Sequence, residues 1–466
     1  MAITKEEMDA WLKSGDSRDY FELLKFPTIG AEPAHLKDCI RCATWLKKWL
    51  EGIGAEAKLI ASTRRDANGV LQPDPPIVFA ELKRDREAPT VLFYGHYDVQ
   101  PPDPLGEWSS PPFEPTVCGS RVRCRGAQDD KGQFFAALCG LREFALGEGR
   151  ERLPNVKILL EGQEESGSCA LAAMAPELGK DLAADVLLIC DTPCAPDLRP
   201  AVVAGLRGVN HFTVTLTAAN RDLHSGEYGG LAPNAAQGMA ELVASLHNPD
   251  GSIAVAGFRD GVEPPSHEEL AAAEAGEADA RGYENDIGVE PCGGQMGKSI
   301  VQRKSFEPTI EVNGIHSGYG GPGSKTVIPC SAVAKISTRL VPGQDPAKAF
   351  AAVRTHLEDR VPRGMKMEIS ELTGCAAAFR LPIASPLVRL AEGILGELDP
   401  RGAVLLWDGA SIPVVSALRE ASGAVPLLVG WGQGEDRIHS PDESYSLSQF
   451  RLAKEWARRI FPALNW

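Results

Sequence analysis

The sequence from about residue 75 to 200 alternates short apolar runs with longer amphipathic runs. The apolar runs are "IVFAEL", "VLFYGHYDV", "VKILLEG" and "DVLLICD", and runs such as "GQFFAALCGLREFAL" separate them. Strands that read as continuous apolar runs, separated by helices, are typical of a parallel sheet covered on both faces. The pattern therefore predicts an α/β fold with a mostly parallel sheet.

A different pattern occupies about residues 205–378. The segments "HFTVTLTA", "AVAKISTRLV" and "KMEISEL" alternate polar and apolar residues, whereas "PNAAQGMAELVASLH" and "PAKAFAAVRTHLEDRV" are typical of helices. Alternation with a period of two indicates strands with one buried face. The apolar α/β character then resumes at about residue 379. We therefore predict an α/β domain formed by residues 1–204 and 379–466, interrupted by a smaller α+β domain formed by residues 205–378.

Composition and charge exclude several classes of protein. The chain has 466 residues, of which 43% are hydrophobic and 24% charged, as expected for a globular enzyme of two or three domains. Its net charge of −15 argues against a nucleic-acid partner, because phosphate binding needs a basic surface. The N-terminal stretch lacks an apolar signal core, and no later run is long enough to span a membrane. We expect a cytoplasmic protein with no membrane partner.

Residues of metal-ligand type follow four of the predicted core strands. They are His96 and Asp98, Glu164 and Glu165, Asp191, and His439. His96 and Asp98 are two positions apart, so their side chains point to the same face of a strand. Ligands bind at the carboxyl ends of the strands in open α/β sheets. We expect these residues to converge there, although each residue alone is more typical of a cap, a solvated turn or a loop.

Two further carboxylates, Asp129 and Asp130, precede a predicted helix, where they suit the helix dipole or cap the first turn. Imidazole and carboxylate ligands favour Zn, Mn or Co. Two histidines with several carboxylates are enough for two metal ions, which lie roughly 3.5–4 Å apart in such sites. A carboxylate beside the ligands would be the general base for a water molecule. The residues alone therefore predict a metal-dependent hydrolase.

Two other motifs predict no site. Cys39 and Cys42 lie in the amphipathic segment "AHLKDCIRCATWLKKWL", and no second CxxC completes a four-thiolate zinc site. The segment "GYGGPGSKT" nearly matches a phosphate-binding loop, but Ser324 displaces the lysine and the chain continues into "VIP" rather than a helix. We predict buried helix cysteines for the first motif and a Gly-rich loop for the second.

Six segments match a known family in order and spacing: "GHYDVQP", "GAQDDKG", "EGQEESGS", "DLHSGEYGG", "SKTVIP" and "STRLVP". Together they resemble the M20 metallopeptidase family, and in particular its dipeptidase branch, from about residue 20 to the C-terminus. The resemblance implies a di-metal catalytic domain interrupted by an inserted domain that acts as a lid and dimerises, so that the protein would be a homodimer. The acidic segment from about Arg259 to Ile300 would be a lid extension or a dimer contact.

The resemblance also implies two divalent metal ions per chain, with Zn as the first expectation and Mn or Co as alternatives. His96 and Asp191 would bind one ion, and Glu165 and His439 would bind the other. Asp129 would bridge the two ions.

Three residues would act beside the ions in such an enzyme. Glu164 would be the general base that activates the attacking water. Asp98 would orient His96 through its other ring nitrogen. His224 in "DLHSG" would polarise the scissile carbonyl in the active site of the partner subunit. Without the resemblance, His224 would be interpreted as a hydrogen-bonded loop histidine.

Substrate recognition is expected from Arg339, Thr326 and Ser411. Arg339 would hold the C-terminal carboxylate of a small peptide, because a planar guanidinium pairs with a carboxylate through two hydrogen bonds. An exposed strand arginine is the alternative interpretation. The resemblance therefore implies hydrolysis of the amide bond of dipeptides or short amino-acid conjugates.

The chain departs from this branch in one segment. Where the branch commonly has Arg-Glu-Gly-Gly-Ser-Ile-Pro, this chain has "WDGASIP", so that an arginine is lost and the acid is shortened to Asp408. The loop "GEDRIHSPDE" also lacks the usual small residues before His439. Two alternatives stay open: an N-acyl-amino-acid deacylase or desuccinylase of the same family, and a catalytically silent homologue that serves as a binding protein.

Overall fold

A computed structural model of the chain describes residues 3–65, 70–85, 87–147 and 149–466. Its helices are α1 (Lys5–Trp11), α2 (Gly15–Leu24), α3 (Leu36–Gly52), α4 (Lys131–Leu146), α5 (Cys169–Met174), α6 (Gly179–Leu182), α7 (Ser225–Tyr228), α8 (Ala235–Ala244), α9 (His267–Gly276), α10 (Ala280–Ile287), α11 (Pro346–Glu358), α12 (Pro386–Leu398), α13 (Pro413–Ser422) and α14 (Leu447–Ala463).

Its strands are β1 (Glu56–Arg65), β2 (Leu71–Leu82), β3 (Thr90–His96), β4 (Thr116–Cys118), β5 (Arg121–Arg123), β6 (Asn155–Glu161), β7 (Val186–Ile189), β8 (Ala201–Leu206), β9 (Gly208–Thr217), β10 (Leu223–His224), β11 (Thr309–Ser317), β12 (Val327–Ile328), β13 (Ser331–Leu340), β14 (Lys366–Ala376), β15 (Phe379–Arg380), β16 (Val404–Asp408), β17 (Val425–Leu428) and β18 (Ser444–Ser446).

The larger sheet of the described residues has the strand order β1-β2-β6-β3-β7-β17-β8-β15, with β16 beside β8. Its central strands β6, β3, β7 and β17 are parallel, whereas β1, β2 and β15 pair antiparallel towards the margins. Helices α3, α4 and α12 pack against it, and Val91, Leu92 and Phe93 of β3 are fully buried. A strand buried on both faces is what the continuous apolar run predicts. The predicted α/β fold is confirmed.

The smaller sheet has the order β11-β13-β9-β14, and its neighbouring strands are antiparallel. Helices α8 and α11 pack against it, and Met239 and Leu242 of α8 share one buried apolar core with Phe350 and Val353 of α11. The chain enters this sheet at β9, directly after β8, and returns to the larger sheet at β15, directly after β14. The smaller sheet is therefore inserted between two strands of the larger one.

The acidic segment from about residue 259 to 300 contains helices α9 and α10. Helix α9 packs against β16 at the margin of the larger sheet, where Ala273 is buried. From the sequence, this segment is expected to be a lid extension or a dimer contact. The packing of α9 against β16 is a further contact that the sequence does not predict. Part of the segment thus covers the larger sheet.

Three exclusions drawn from the sequence can be compared with the structure. Cys39 and Cys42 lie in α3 with fully buried side chains, which confirms the prediction of helix cysteines. The loop Gly318–Thr326 is exposed and leads into β12 rather than a helix, as expected. Among the residues described, no helix is both long and apolar enough to cross a membrane.

Candidate active site

The parallel strands β3, β6 and β7 end side by side. Tyr94 of β3 is opposite both Leu159 of β6 and Ile189 of β7, so the residues that follow these strands emerge at one edge of the sheet. Helix α4 begins beside this edge because Gly95 allows a close approach: a Cβ at Gly95 would lie 2.7 Å from the Cβ of Phe134. The edge of the sheet and the start of α4 thus meet at one place.

Five of the predicted residues converge there, and we call them the Asp129 cluster. His96 Nε2 lies 3.1 Å from Asp129 Oδ1 and 3.5 Å from Asp191 Oδ2. His439 Nε2 lies 2.9 Å from Asp129 Oδ2 and 3.3 Å from Glu165 Oε2. Each set offers three potential ligand atoms within 4.8 Å of one another, and Asp129 belongs to both sets. This is the geometry of two adjacent cation sites with one shared carboxylate.

The donor atoms suit two divalent ions. Each set combines one imidazole with two carboxylates, a mixture that Zn, Mn and Co accept. Three protein ligands per ion leave room for water or substrate, as in catalytic rather than structural sites. The residues present therefore fit a pair of divalent ions.

The cluster contains three carboxyl groups and two imidazoles. Burial raises the pKa of Glu165 to about 7, and the charge of Asp129 adds to the shift. Hydrogen bonds to Asp129 and Glu165 raise the pKa of His439 to about 10. Burial opposes ionisation of Asp129, but hydrogen bonds from His439 and His96 outweigh it and lower the pKa of Asp129. Divalent cations would supply positive charge here and release the bound protons.

Asp98 links one histidine of the cluster to the turn that carries the two glutamates. Its Oδ1 lies 3.3 Å from His96 Nδ1, the ring nitrogen that faces away from Asp129. Its carboxylate accepts backbone hydrogen bonds from Glu164 at 3.2 Å and from Glu165 at 3.1 Å. Because Asp98 is fully buried, these contacts support the role predicted for it, the orientation of His96.

Glu164 lies beside the cluster, and its carboxylate makes no hydrogen bond or ion pair with the described residues. Burial raises the pKa of Glu164 well above its ordinary value; His96 opposes this shift and Asp191 adds to it. A carboxylate with uncommitted oxygens and a raised pKa is suited to take a proton from water and to return it.

The remaining predicted residues form two pairs. His224 Nε2 lies 3.4 Å from Thr326 Oγ1 beside the β10–β12 ladder. Arg339 Nη1 donates to Ser411 Oγ at 2.8 Å. Within the described part of the chain, no hydrogen bond or ion pair joins either pair to the Asp129 cluster. A single chain therefore brings the predicted ligands together but leaves these four residues apart from them.

Comparison with known proteins agrees with this arrangement. Residues 92–461 match the model of the peptidase family M20/M25/M40. The chain belongs to this family. It is 31% identical to the Beta-Ala-His dipeptidase of Homo sapiens over 402 residues, which cover 84% of this chain and 78% of that protein. It is 27% identical to a Cys-Gly metallodipeptidase of Schizosaccharomyces pombe over 444 residues, which cover 92% of this chain and 90% of that protein.

A solved structure extends the likeness to the fold. The M20 family metallo-carboxypeptidase Sso-CP2 from Sulfolobus solfataricus matches with a TM-score of 0.86 and 27% identity, over 97% of this chain and 99% of that one. The predicted M20 family, the metallopeptidase class and the α/β fold with an inserted second sheet are therefore confirmed.

The M20 chain also contains a supporting residue that the sequence did not reveal. Glu443 is fully buried and accepts hydrogen bonds from the amides of Gln128 at 2.9 Å and Asp129 at 3.1 Å. Its other oxygen accepts from Arg125 Nη1 at 2.7 Å. Arg125 in turn donates to a backbone carbonyl one residue after His439, at 3.3 Å. Glu443 and Arg125 thus fix the backbone segments that carry two residues of the cluster.

No local signal marks Glu443 in the sequence. It is one of two consecutive acids in "HSPDE", and its four partners lie 314 to 318 positions earlier. Gln100, whose Nε2 donates to Glu165 Oε2 at 2.8 Å, is a second supporting residue that was missed. Gln100 lies in "GHYDVQP", so its position at a ligand-bearing strand end was the available signal.

Proposed function

We propose that this M20 chain is a di-metal dipeptidase that hydrolyses the amide bond of dipeptides or short amino-acid conjugates. The observation that carries the proposal is the pair of ligand sets that share Asp129, with the uncommitted carboxylate of Glu164 beside them. Similarity to a Beta-Ala-His dipeptidase and a Cys-Gly metallodipeptidase supports dipeptides as the substrate class.

The Asp129 cluster is proposed to hold two divalent ions. His96 and Asp191 would bind one ion, Glu165 and His439 the other, and Asp129 both. Zinc is the proposed ion, with Mn or Co accepted by the same ligands. When bound, such ions would polarise the scissile carbonyl and lower the pKa of a nearby water molecule.

Glu164 is proposed to move the proton. It accepts a proton from the attacking water and donates it to the nitrogen of the leaving amine as the C–N bond breaks. Its oxygens have no competing partner among the described residues, and burial favours the protonated form that the second transfer needs.

His224 is proposed to act in the partner subunit. The amide of Gly226 donates to His224 Nδ1 at 3.1 Å, which leaves the proton of the neutral ring on Nε2. From Nε2 the ring can donate to the oxyanion that develops on the substrate carbonyl, with Thr326 beside it. Because no hydrogen bond or ion pair among the described residues joins this pair to the cluster of its own chain, we propose a homodimer. In it, residues 205–378 act as lid and dimerisation domain, and residues 1–204 and 379–466 as the catalytic domain.

Mixing two inactive variants tests the homodimer. His224→Ala and Glu164→Ala homodimers each lack one residue in both active sites, whereas a mixed dimer contains one complete site if His224 acts in trans. Random exchange should then restore about one quarter of the wild-type activity, because half of the dimers are mixed and each has one working site. No recovery after confirmed subunit exchange would contradict the proposal.

A matched substrate panel tests the reaction itself. Protein reconstituted with Zn, Mn or Co is given free dipeptides, their N-acetylated forms and their C-terminal amides. We expect cleavage of the free dipeptides, with lower kcat/KM for both modified sets. A preference for the acetylated set would make the chain a deacylase, and no turnover with two ions bound would mean that its substrate lies outside this class.

A further inference from the structure

Arg207 lies where the chain passes from β8 of the larger sheet to β9 of the smaller one. Its Nε donates to the carbonyl of Gly409 at 2.9 Å, and its amide donates to the carbonyl of Ala410 at 3.2 Å. Its own carbonyl accepts a hydrogen bond from the hydroxyl of Ser411. Arg207 is therefore held against the segment "WDGASIP" by both its backbone and its guanidinium.

Ser411 connects Arg207 to Arg339. Its Oγ accepts from Arg339 Nη1 at 2.8 Å, while its single hydroxyl hydrogen is directed to the carbonyl of Arg207. The two guanidiniums also interact electrostatically. Burial, the larger cause, and the charge of Arg339, the second cause, lower the pKa of Arg207 to about 10. Two partly buried positive charges thus share one small region.

Neither guanidinium has an acidic partner in the described part of the chain. No carboxylate oxygen of the described residues forms an ion pair with either arginine within 4.0 Å. Asp408 attracts both guanidiniums, and Glu311 attracts Arg207, but only at longer range; Asp408 Oδ1 accepts from the amide of Ala410 at 3.0 Å. The buried Arg125, by contrast, has Glu443 at 2.7 Å. Two like charges with no described carboxylate in direct contact favour the binding of an anion.

The two arginines also retain unused donors. Among the described residues, no acceptor faces Arg207 Nη2, nor the Nε and Nη2 of Arg339. Gly409 makes room for the first of these: a Cβ there would lie 3.0 Å from Arg207 Nη2 and 3.0 Å from the carbonyl oxygen of Lys304. Each guanidinium therefore keeps at least one nitrogen whose N–H groups are available to a small anion.

We infer that Arg207 and Arg339 form one carboxylate site, in which Arg207 is a second specificity-determining residue for the free α-carboxylate of the substrate. The inference rests on the proposed dipeptidase function, which supplies that carboxylate. The N–H groups of the two guanidiniums bind the carboxylate oxygens, and the anion offsets the repulsion between the two cations.

The test compares wild type, Arg207→Gln and Arg207→Lys on a free dipeptide and on its C-terminal amide. We expect Arg207→Gln to lower kcat/KM for the free dipeptide about 10- to 100-fold, mainly through KM, because a charge-assisted contact made before the chemical step is lost. The amide has no carboxylate, so its kcat/KM should hardly change. Arg207→Lys keeps the charge but loses the planar fork, and we expect a smaller loss.

Arg380→Gln is the matched control, because Arg380 is also partly buried but pairs with Glu263 at 3.1 Å. It should leave the ratio of the two kcat/KM values unchanged. The carboxylate of a peptide can be its C-terminal α-carboxylate or an acidic side chain. A dipeptide amide with a C-terminal Asp distinguishes the two, because it retains only the side-chain carboxylate. If Arg207→Gln lowered kcat/KM for that substrate alone, the assignment to the α-carboxylate would be overturned.

Two further outcomes would overturn the inference. An equal loss of kcat/KM on the free dipeptide and its amide would mean a structural role for Arg207, and no loss on either would mean no role. If wild type cleaves no dipeptide, the proposed function fails separately, and N-acetylglycine and its amide are titrated calorimetrically instead. If N-acetylglycine binds to wild type, and binds at least 10-fold more weakly to Arg207→Gln, the inferred anion site stands. Equal binding to the two proteins would refute it.

Discussion

The Asp129 cluster is rich in carboxyl groups and the Arg207–Arg339 pair is positively charged, and the protein supports the two groups differently. The cluster is surrounded by fixed partners: Glu443 accepts hydrogen bonds from the Asp129 amide and from Arg125, and Asp98 accepts two from the neighbouring turn. The side chain of Arg339, by contrast, has Ser411 as its acceptor and no acidic partner among the described residues. The cation site is thus built in advance, whereas the hydrogen bonds of the anion site are completed by the ligand.

This difference sets the order of the expected mutational effects. Removing a member of the Asp129 cluster should abolish hydrolysis, because other protein groups cannot take its place. Removing a member of the Arg207–Arg339 pair should weaken one contact with the substrate and leave the chemical step intact.

Asp129→Ala should have the largest effect, because Asp129 belongs to both ligand sets. We expect the metal content to fall from about two ions per chain to below one, and hydrolysis to fall to the detection limit. Elemental analysis and dipeptide hydrolysis measure the two quantities. Glu435→Ala, which removes an exposed acid in the loop before His439, is the control. Two ions and normal activity in Asp129→Ala would refute the shared site.

Glu164→Gln should separate proton transfer from metal binding. The carboxylate of Glu164 belongs to neither ligand set, so we expect two bound ions and kcat lowered about 10²- to 10⁴-fold. The measurement combines steady-state kinetics with metal analysis of the same sample. Wild-type kcat with both ions present would remove Glu164 from the mechanism.

Much of the cluster was predictable because it depends on local sequence and on a general property of parallel sheets. His96, Glu165 and Asp191 each follow an apolar run, and parallel strands bring their ends to one edge. Glu443 was not predictable, since its partners lie more than 300 positions away and a second acid stands beside it. The same holds for Arg207, whose contact with Gly409 spans 202 positions.

The segment "WDGASIP" shows a second limit of the sequence. It lacks an arginine that the dipeptidase branch commonly has there, which puts recognition of the substrate's terminal group in question. In the structure the guanidinium of Arg207, from another part of the chain, lies against this segment. The loss of a residue type in one motif therefore does not establish its loss from the site.

Glu443→Gln tests how far the Asp129 cluster depends on the hydrogen bonds that Glu443 accepts. The substitution leaves Arg125 buried without a counter-charge and weakens the acceptor for the Asp129 amide. We expect metal affinity to fall about 10- to 100-fold, as for other residues that hold metal ligands in place. Competition with a chelator measures the affinity, with Glu435→Gln as the control.

A double variant then distinguishes positioning from simple charge loss. Arg125→Met combined with Glu443→Gln removes the uncompensated charge and should recover protein stability. Metal affinity should stay low, because the acceptor for the Asp129 amide is still weakened. Full recovery of affinity in the double variant would mean that Glu443 acts only by neutralising Arg125.

The pH dependence of stability should be the smallest of these effects. The folded pKa values of Glu165, about 7 against 4.5, and of His439, about 10 against 6.5, are both raised. These two groups therefore bind more protons in the folded metal-free protein than in the unfolded chain, and their contribution to stability falls from pH 4.5 to 10. Because metal ions displace the same protons, the rise in Tm on adding Zn should increase with pH. Thermal unfolding with and without Zn tests this, and a constant rise would contradict it.

The most direct test of the account is a titration of metal-free protein with Zn, in which hydrolysis of a free dipeptide is measured at each addition. If the Asp129 cluster holds two ions that act together, activity should appear mainly with the second equivalent and reach a plateau near two per chain. Full activity at one equivalent would contradict the two-ion site, and no activity at any loading would contradict the dipeptidase assignment.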